Sequence, residues 1–162
     1  MLVIGAGPGG LCAGIQLRGA GIDDFVIVEK ASGVGGTWWH NRYPGAECDV
    51  QSHLYSFSFE PKADWSRPYA GQAEIREYVE HVARKHGMLP YCRFNREVRS
   101  LRWDEHAAVW RVTFADGQRV RARVVISAIG MFNDIAVPEI PGLDDFAGTL
   151  FHTARWRDDH DL

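Results

Sequence analysis

The hexapeptide Gly5-Ala6-Gly7-Pro8-Gly9-Gly10 constrains what this chain can fold into more than any other feature. It fits the pattern G-x-G-x-x-G, and both flanks suit it. The apolar run 1–4 before it reads as a short buried strand. Leu11, Gly14, Ile15 and Arg18 after it recur at helical spacing, with Gly21 as the stop. Residues 25–28 read as a second apolar strand that ends at Glu29. Strand, glycine turn, helix and strand make one βαβ unit, expected to be parallel and right-handed. In such a unit Gly5 permits the tight turn, Gly7 lets a pyrophosphate approach the backbone, and Gly10 lets helix and strand pack closely. The helix N-terminus, which begins around Pro8 and Gly9, offers unpaired N–H groups and a positive dipole end to phosphates. Glu29 stands where such folds place an acid for the ribose hydroxyls. Its charge repels a 2′-phosphate, which selects FAD or NAD over NADP at this site. Lys30 beside it joins the same cofactor-binding set. The plainer alternative is a glycine-rich turn with a surface glutamate at the end of a strand.

Length and charge narrow the class. A chain of 162 residues suggests about one domain. A net charge of -3 argues against a nucleic-acid or anionic-membrane partner, and Arg119, Arg121 and Arg123 read as a solvated strand face. No run reaches the roughly 18 apolar residues of a membrane span. The first residues do not read as a signal peptide. Cys12, Cys48 and Cys92 are odd in number and form no C-x-x-C, which suits a reducing cytosol and offers no zinc site. The expectation is a cytoplasmic protein without metal.

Residues 31–71 are rich in Gly, Trp, Tyr, Pro and Ser and lack a period, which points to a functional stretch, since the aromatics argue against disorder. A helical period returns from Gln72, with Ile75, Tyr78, Val79 and Val82 on one face and Gly87 as its end. An antiparallel section follows: a strand over 98–103, a second carrying Trp110, Val112 and Phe114, a turn at Asp116-Gly117, and a return over 120–129 whose end reads as a fully buried strand. Pro138 and Pro141 mark an exposed connection. A second glycine pair in Gly35-Gly36-Thr37-Trp38, and Gly130 closing the last strand where backbone could again come close, favour the longer FAD over NAD. The fold class expected is α/β: a Rossmann-like FAD-binding domain with a parallel sheet and an antiparallel β-meander insertion, incomplete at the C-terminus.

Taken together, GAGPGG, VEK, GGTW, NRYPGAECD and the terminal FAGTLFHTARW resemble the N-terminal part of a flavin-containing monooxygenase, most of all the Baeyer–Villiger branch. The fingerprint of that branch is F-x-G-x-x-x-H-x-x-x-W followed by Pro or Asp. Phe146, Gly148, His152 and Trp156 match it, and Arg157 departs from it. The resemblance implies a partial FAD-binding domain over 1–142 and a linker over 143–162 towards an NADPH-binding domain outside this chain. It implies that Gly5, Gly7, Gly10 and Glu29 hold the ADP part of FAD, and that Gly36, Thr37 and Trp38 lie along the pyrophosphate and flavin. Asp49 would sit by the isoalloxazine and nicotinamide as the catalytic residue. Tyr55 would approach the flavin, and Val98 would contact the adenine end through its backbone. Relatives often carry Arg where Glu47 stands here, and Thr where Ile129 stands.

The activity implied is NADPH-dependent insertion of one oxygen atom from O2 into a ketone, giving an ester or lactone. The alternatives are N- or S-oxidation of a heteroatom substrate, or a stand-alone FAD-binding module. The isolated chain is expected to be inactive as an oxygenase. Among single residues, Asp49 has the plainer reading of an Asx turn. Cys48 reads as a packing residue, and Cys48, Asp49 and His53 lack metal-ligand spacing. Of Trp38 and Trp39, one is expected to pack and one to lie near the flavin. His81 and His86 are expected on the surface, and His152 in a structural or regulatory role.

Overall fold

The computed structural model describes residues 1–132 and 134–161. Strand β1 (Leu2–Ile4) and strand β2 (Val26–Val28) pair in parallel, with Leu2 opposite Val26 and Ile4 opposite Val28. Helix α1 (Pro8–Gly19) connects them. A proline in its first turn gives up no helical hydrogen bond and presets the entry angle. Strand β7 (Val125–Ser127) lies on the other side of β1, and a two-residue strand β3 (Cys92–Arg93) lies outside β2. All pairings in this four-stranded sheet, ordered β3-β2-β1-β7, are parallel. The sequence did not mark β3, which is too short to show a period and follows a 3-10 turn over Leu89–Tyr91.

Helix α3 (Gln72–Lys85) buries the face expected of it, with Ile75, Tyr78, Val79, Val82 and Ala83 turned inward. With Val3, Leu11, Ile27 and Met88 it forms the main core. Each such side chain contributes on the order of 1.5–3 kcal/mol relative to exposure. The stretch 31–71 is irregular except for a four-residue helix α2 (Thr37–His40), yet it is tied down. Cys48 N–H donates to Ala70 O (3.0 Å), Gln72 N–H to Ala46 O (2.9 Å), and the buried Ser52 hydroxyl accepts Ala70 N–H (2.8 Å). Trp65 and Tyr78 close its apolar side at 5.4 Å between ring centroids.

The antiparallel insertion comprises β4 (Val98–Asp104), β5 (Val109–Phe114) and β6 (Arg119–Ala122), in that order. Val112 and Phe114 point to a second apolar cluster with Leu2, Val28 and Ala122, which joins this sheet to the parallel one. The opposite face carries Arg111, Arg119 and Arg121 in solvent, as the alternation implied, and Arg123 is exposed just beyond β6.

One element differs from expectation. The single returning strand over 120–129 is two strands: β6 pairs with β5, and β7 pairs with β1 in the other sheet. The end of that run is not fully buried either. Val125 and Ile126 are half-buried, and Ile129 is 57% exposed, because β7 occupies the end of the sheet order. Among the described residues no helix is long and apolar enough to cross a membrane.

Candidate functional site

The C-terminal ends of β1 and β2 gather most of the expected site. Gly5 has φ +105° and faces the Ala128 carbonyl so closely that any side chain would collide with it. A side chain at Gly10 would strike the Gly5 carbonyl, so the close approach expected of Gly10 is to the glycine turn itself. The second glycine pair packs on the first. A Cβ on Gly36, whose φ is +57°, would lie 2.9 Å from the Gly7 Cα, and one on Gly7 would lie 3.3 Å from the Gly36 Cα. Gly35 N–H donates to the Ala6 carbonyl (3.1 Å). The two glycine motifs, some thirty positions apart in sequence, therefore form one backbone-lined cradle. Among the described residues no side chain caps helix α1, and no acid lies in its first turn. Helix geometry leaves the N–H groups of Gly9 and Gly10 without intrahelical partners, aimed where an anion is favoured.

Glu29 is buried, with 6% of its surface exposed. One carboxylate oxygen accepts Ala6 N–H and the other accepts Ala31 N–H, each at 2.7 Å. The residue thus ties the first glycine turn to the chain leaving β2, a role its sequence position did not disclose. Each oxygen keeps a further lone pair for a ligand hydroxyl. His40, at the end of α2, has its pKa held below the ordinary 6.5. Burial is the main cause, followed by the Lys30 charge, partly opposed by Glu29, with a smaller push from Arg155. Lys30, His40 and Arg155 thus share one electrostatic neighbourhood with Glu29.

Both tryptophans of the Gly-Gly-Thr-Trp-Trp run are packed. Trp38 is in the core, donates its indole N–H to the Tyr55 hydroxyl (3.0 Å), meets that ring edge-on, and accepts a bond from the Gln72 side chain at its carbonyl. Trp39 fills the space above Gly33, with the Arg76 guanidinium 4.3 Å from its ring. Burial raises the Tyr55 pKa. The Trp38 bond opposes that shift, and the charges of Cys48 and Asp49 add to it. Tyr55 and Pro8 line a cleft of about 260 Å³ with Leu54, Ser56, Phe57, Tyr78 and Val79. Asp49 is exposed, and Cys48 beside it is buried as packing. Glu47 forms an ion pair with Arg67 at 3.0 Å.

Val98 opens β4, half-buried against the second cluster. The chain just before it is held to the strand end by Arg96 N–H on the Glu29 carbonyl (2.8 Å). Gly130 differs from expectation: among the described residues, its chain neighbours aside, no atom lies within 4 Å of its Cβ position, and what the glycine supplies is φ +73°. The close backbone approach at this strand end is made by Ala128 instead. His81 is exposed as expected, but His86 is half-buried, with its Nε2 3.0 Å from Glu60 and its ring edge-on to Phe59.

The segment 146–160 makes its own small knot. The Phe146 ring lies over Gly148, where a Cβ would collide. His152 Nδ1 accepts Ala154 N–H (3.1 Å) and so caps a 3-10 turn over Thr153–Arg155. Phe151 stands edge-on to both Trp156 and His160. Arg157 is gripped by Asp159 through two bonds (2.8 and 3.1 Å), and Asp158 pairs with Arg42 at 3.2 Å, which joins this segment to the chain after α2.

The chain was compared with known families and structures. A family model described as pyridine nucleotide-disulphide oxidoreductase matches residues 2–161. A Baeyer–Villiger monooxygenase of Streptomyces coelicolor is 52% identical over 160 residues, covering 99% of this chain and 31% of that protein. A protein of Aspergillus niger named FAD-binding monooxygenase is 42% identical over 167 residues, covering 96% of this chain and 28% of its own length. The crystal structure of cyclohexanone monooxygenase from Rhodococcus sp. Phi1 bound to NADP+ superposes with a TM-score of 0.89 at 40% identity, over 99% of this chain and 31% of that one. The chain spans about a third of the length of these relatives.

Proposed function

The chain belongs to the pyridine nucleotide-disulphide oxidoreductase family, and from that premise we propose that it forms the FAD-binding part of an NADPH-dependent flavin monooxygenase. The reaction is insertion of one oxygen atom of O2 into a small organic ketone, as the Baeyer–Villiger relatives' names suggest. The observation that carries the reading is the joined cradle of Gly5, Gly7, Gly10 and Gly36, with Glu29 at its rim. A pyrophosphate needs close backbone, free N–H donors and no side chains in its path, and those are what this cradle offers.

When bound, FAD supplies the electron transfer and oxygen activation that no side chain can perform. The work left to this chain is binding, orientation and exclusion of water. Gly9 and Gly10, behind Pro8, donate N–H groups to phosphate, and the spare lone pairs of Glu29 accept ribose hydroxyls, with Lys30 alongside. Thr37 and Trp38 follow Gly36 along the cofactor. Trp38 holds the Tyr55 hydroxyl as a hydrogen-bond acceptor, which fixes that ring at the edge of the cleft. Asp49, exposed near Tyr55, takes the flavin-side role, Val98 meets the adenine end through its backbone, and Gly130 closes the site beyond β7. Residues 1–142 form the FAD-binding domain and 143–162 the linker towards an NADPH-binding domain.

The test is reconstitution of the chain with FAD, followed by NADPH consumption on ketones, amines and thioethers by the protein in its complete form. Stoichiometric FAD and ketone-dependent turnover are expected; a colourless chain sinks the cofactor assignment. A second reading, N- or S-oxidation, is favoured by Arg157 at the position after the fingerprint tryptophan. Turnover on amines or thioethers and none on ketones would establish it. Stoichiometric FAD with no oxygenation of any of the three would leave a stand-alone FAD-binding module.

A further inference from the structure

The outward face of the antiparallel sheet has a charge pattern that the cofactor site does not use. Strand register sets Arg102 directly opposite Arg111, and Arg111 directly opposite Arg121. Below that rung, Ser100, Thr113 and Arg119 stand side by side in the same way. These six residues line an open hollow of about 780 Å³. Like charges directly opposite on one sheet face destabilise it by a few tenths to about 1 kcal/mol per pair. Only Arg111 is answered, by Asp104, on which its Nε donates at 2.7 Å. Among the described residues Arg102, Arg119 and Arg121 form no ion pair, and all three are exposed. The chain as a whole carries -3, so this cationic face is local.

We propose that the Arg102–Arg111–Arg121 face is a docking surface for an acidic helix of a partner protein. The geometry selects the occupant. The arginine ladder crosses the strands, so its rungs are about 4.8 Å apart. Carboxylates at i, i+4 and i+7 on a helix lie roughly 5–6 Å apart along one face, which matches that spacing. An extended acidic strand presents same-face side chains only every ~6.6 Å and falls out of step after one rung. Ser100 and Thr113 add hydroxyl donors beside the guanidinium groups, which suits carboxylate oxygens.

The test uses the full chain and a fluorescent alanine-based helical peptide with glutamates at i, i+4, i+7 and i+11, read by anisotropy. A peptide of the same composition with its glutamates spread around all faces is the comparison. The expected result is at least tenfold tighter binding of the striped peptide, lost on raising salt, and at least tenfold weakening by R102Q/R121Q. That double variant is also expected to melt at or above the parent temperature, because it removes the opposed charges. If it loses its far-UV circular dichroism, R119Q alone reads the same surface, with a severalfold loss expected. No binding, equal binding of the two peptides, unchanged binding in the variants, or tighter binding to single-stranded DNA or phosphatidylserine vesicles would each overturn the proposal.

Discussion

Replacing Glu29 by Gln isolates what this buried carboxylate does. In the parent, two backbone N–H groups, from Ala6 and Ala31, each find a charged oxygen at 2.7 Å. A glutamine side chain offers one oxygen and one NH2, so one of those N–H groups meets a donor instead of an acceptor. A hydrogen bond to a charged group contributes about 1.5–3 kcal/mol, and a buried donor left without a partner costs about 1–3 kcal/mol. The two figures overlap, since the second partly restates the first, so a net loss of about 2–3 kcal/mol is expected. For a chain of this size each kcal/mol lowers the melting temperature by roughly 2–4 °C, which gives a drop of about 4–12 °C. Thermal unfolding followed by far-UV circular dichroism of the chain without added cofactor measures this directly. FAD titration measures the second consequence. The Ala6 turn loosens and a ribose acceptor is lost, so affinity should fall by about tenfold, the equivalent of about 1.4 kcal/mol. A glutamine variant that melts with the parent and binds FAD equally would refute both the tying role and the ribose role. A variant that melts lower yet binds FAD equally would leave the carboxylate as a structural tie only.

Other perturbations follow from particular contacts. Gly5→Ala should destabilise more than Gly36→Ala, because the first meets the Ala128 carbonyl and the second the Gly7 Cα at 2.9 Å. Among the described residues Gly45→Ala meets nothing within 4 Å beyond its chain neighbours and should cost only the left-handed backbone strain, about 1 kcal/mol; urea midpoints in any other order would contradict the cradle. His40 has its folded pKa below its unfolded value, so the unfolded chain takes the proton first. Its contribution is full above about 6.5 and is lost as pH falls through the folded pKa, so His40→Gln should flatten stability between pH 7 and 5. Glu60 is held below its ordinary 4.5 by bonds from Lys85 and His86, so its contribution is present above that value and lost further into acid, where Glu60→Gln should flatten the curve. Asp158→Asn removes an exposed pair with Arg42 that is worth at most about 1 kcal/mol. The melting temperature should hold, while limited trypsinolysis after Arg155 and Arg157 should speed up.

The parallel pairing and the turn before α1 were legible because glycine spacing and apolar runs are local signals. The division of residues 119–127 between two sheets was not. Arg121 and Arg123 flank Ala122 with an alternation that a single strand would also show, and what changes after Ala122 is the hydrogen-bonding partner, from β5 to β1. Periodicity reports which face a residue shows and is silent on which strand it pairs with. The candidate site follows the same rule. Glu29 was recognisable as an acid at a strand end, yet its bonds to Ala6 and Ala31 depend on how the turn folds back over β2. Gly7 and Gly36 each read as open to a ligand, and each proves to be crowded first by the other. Ser52 carried no motif at all, although its hydroxyl holds the loop before Tyr55 to the approach of α3. In this chain the proposed cofactor-binding residues stand in short motifs. Several of the supports that hold those motifs in place come from residues sixteen or more positions away, and sequence spacing alone carries no trace of them.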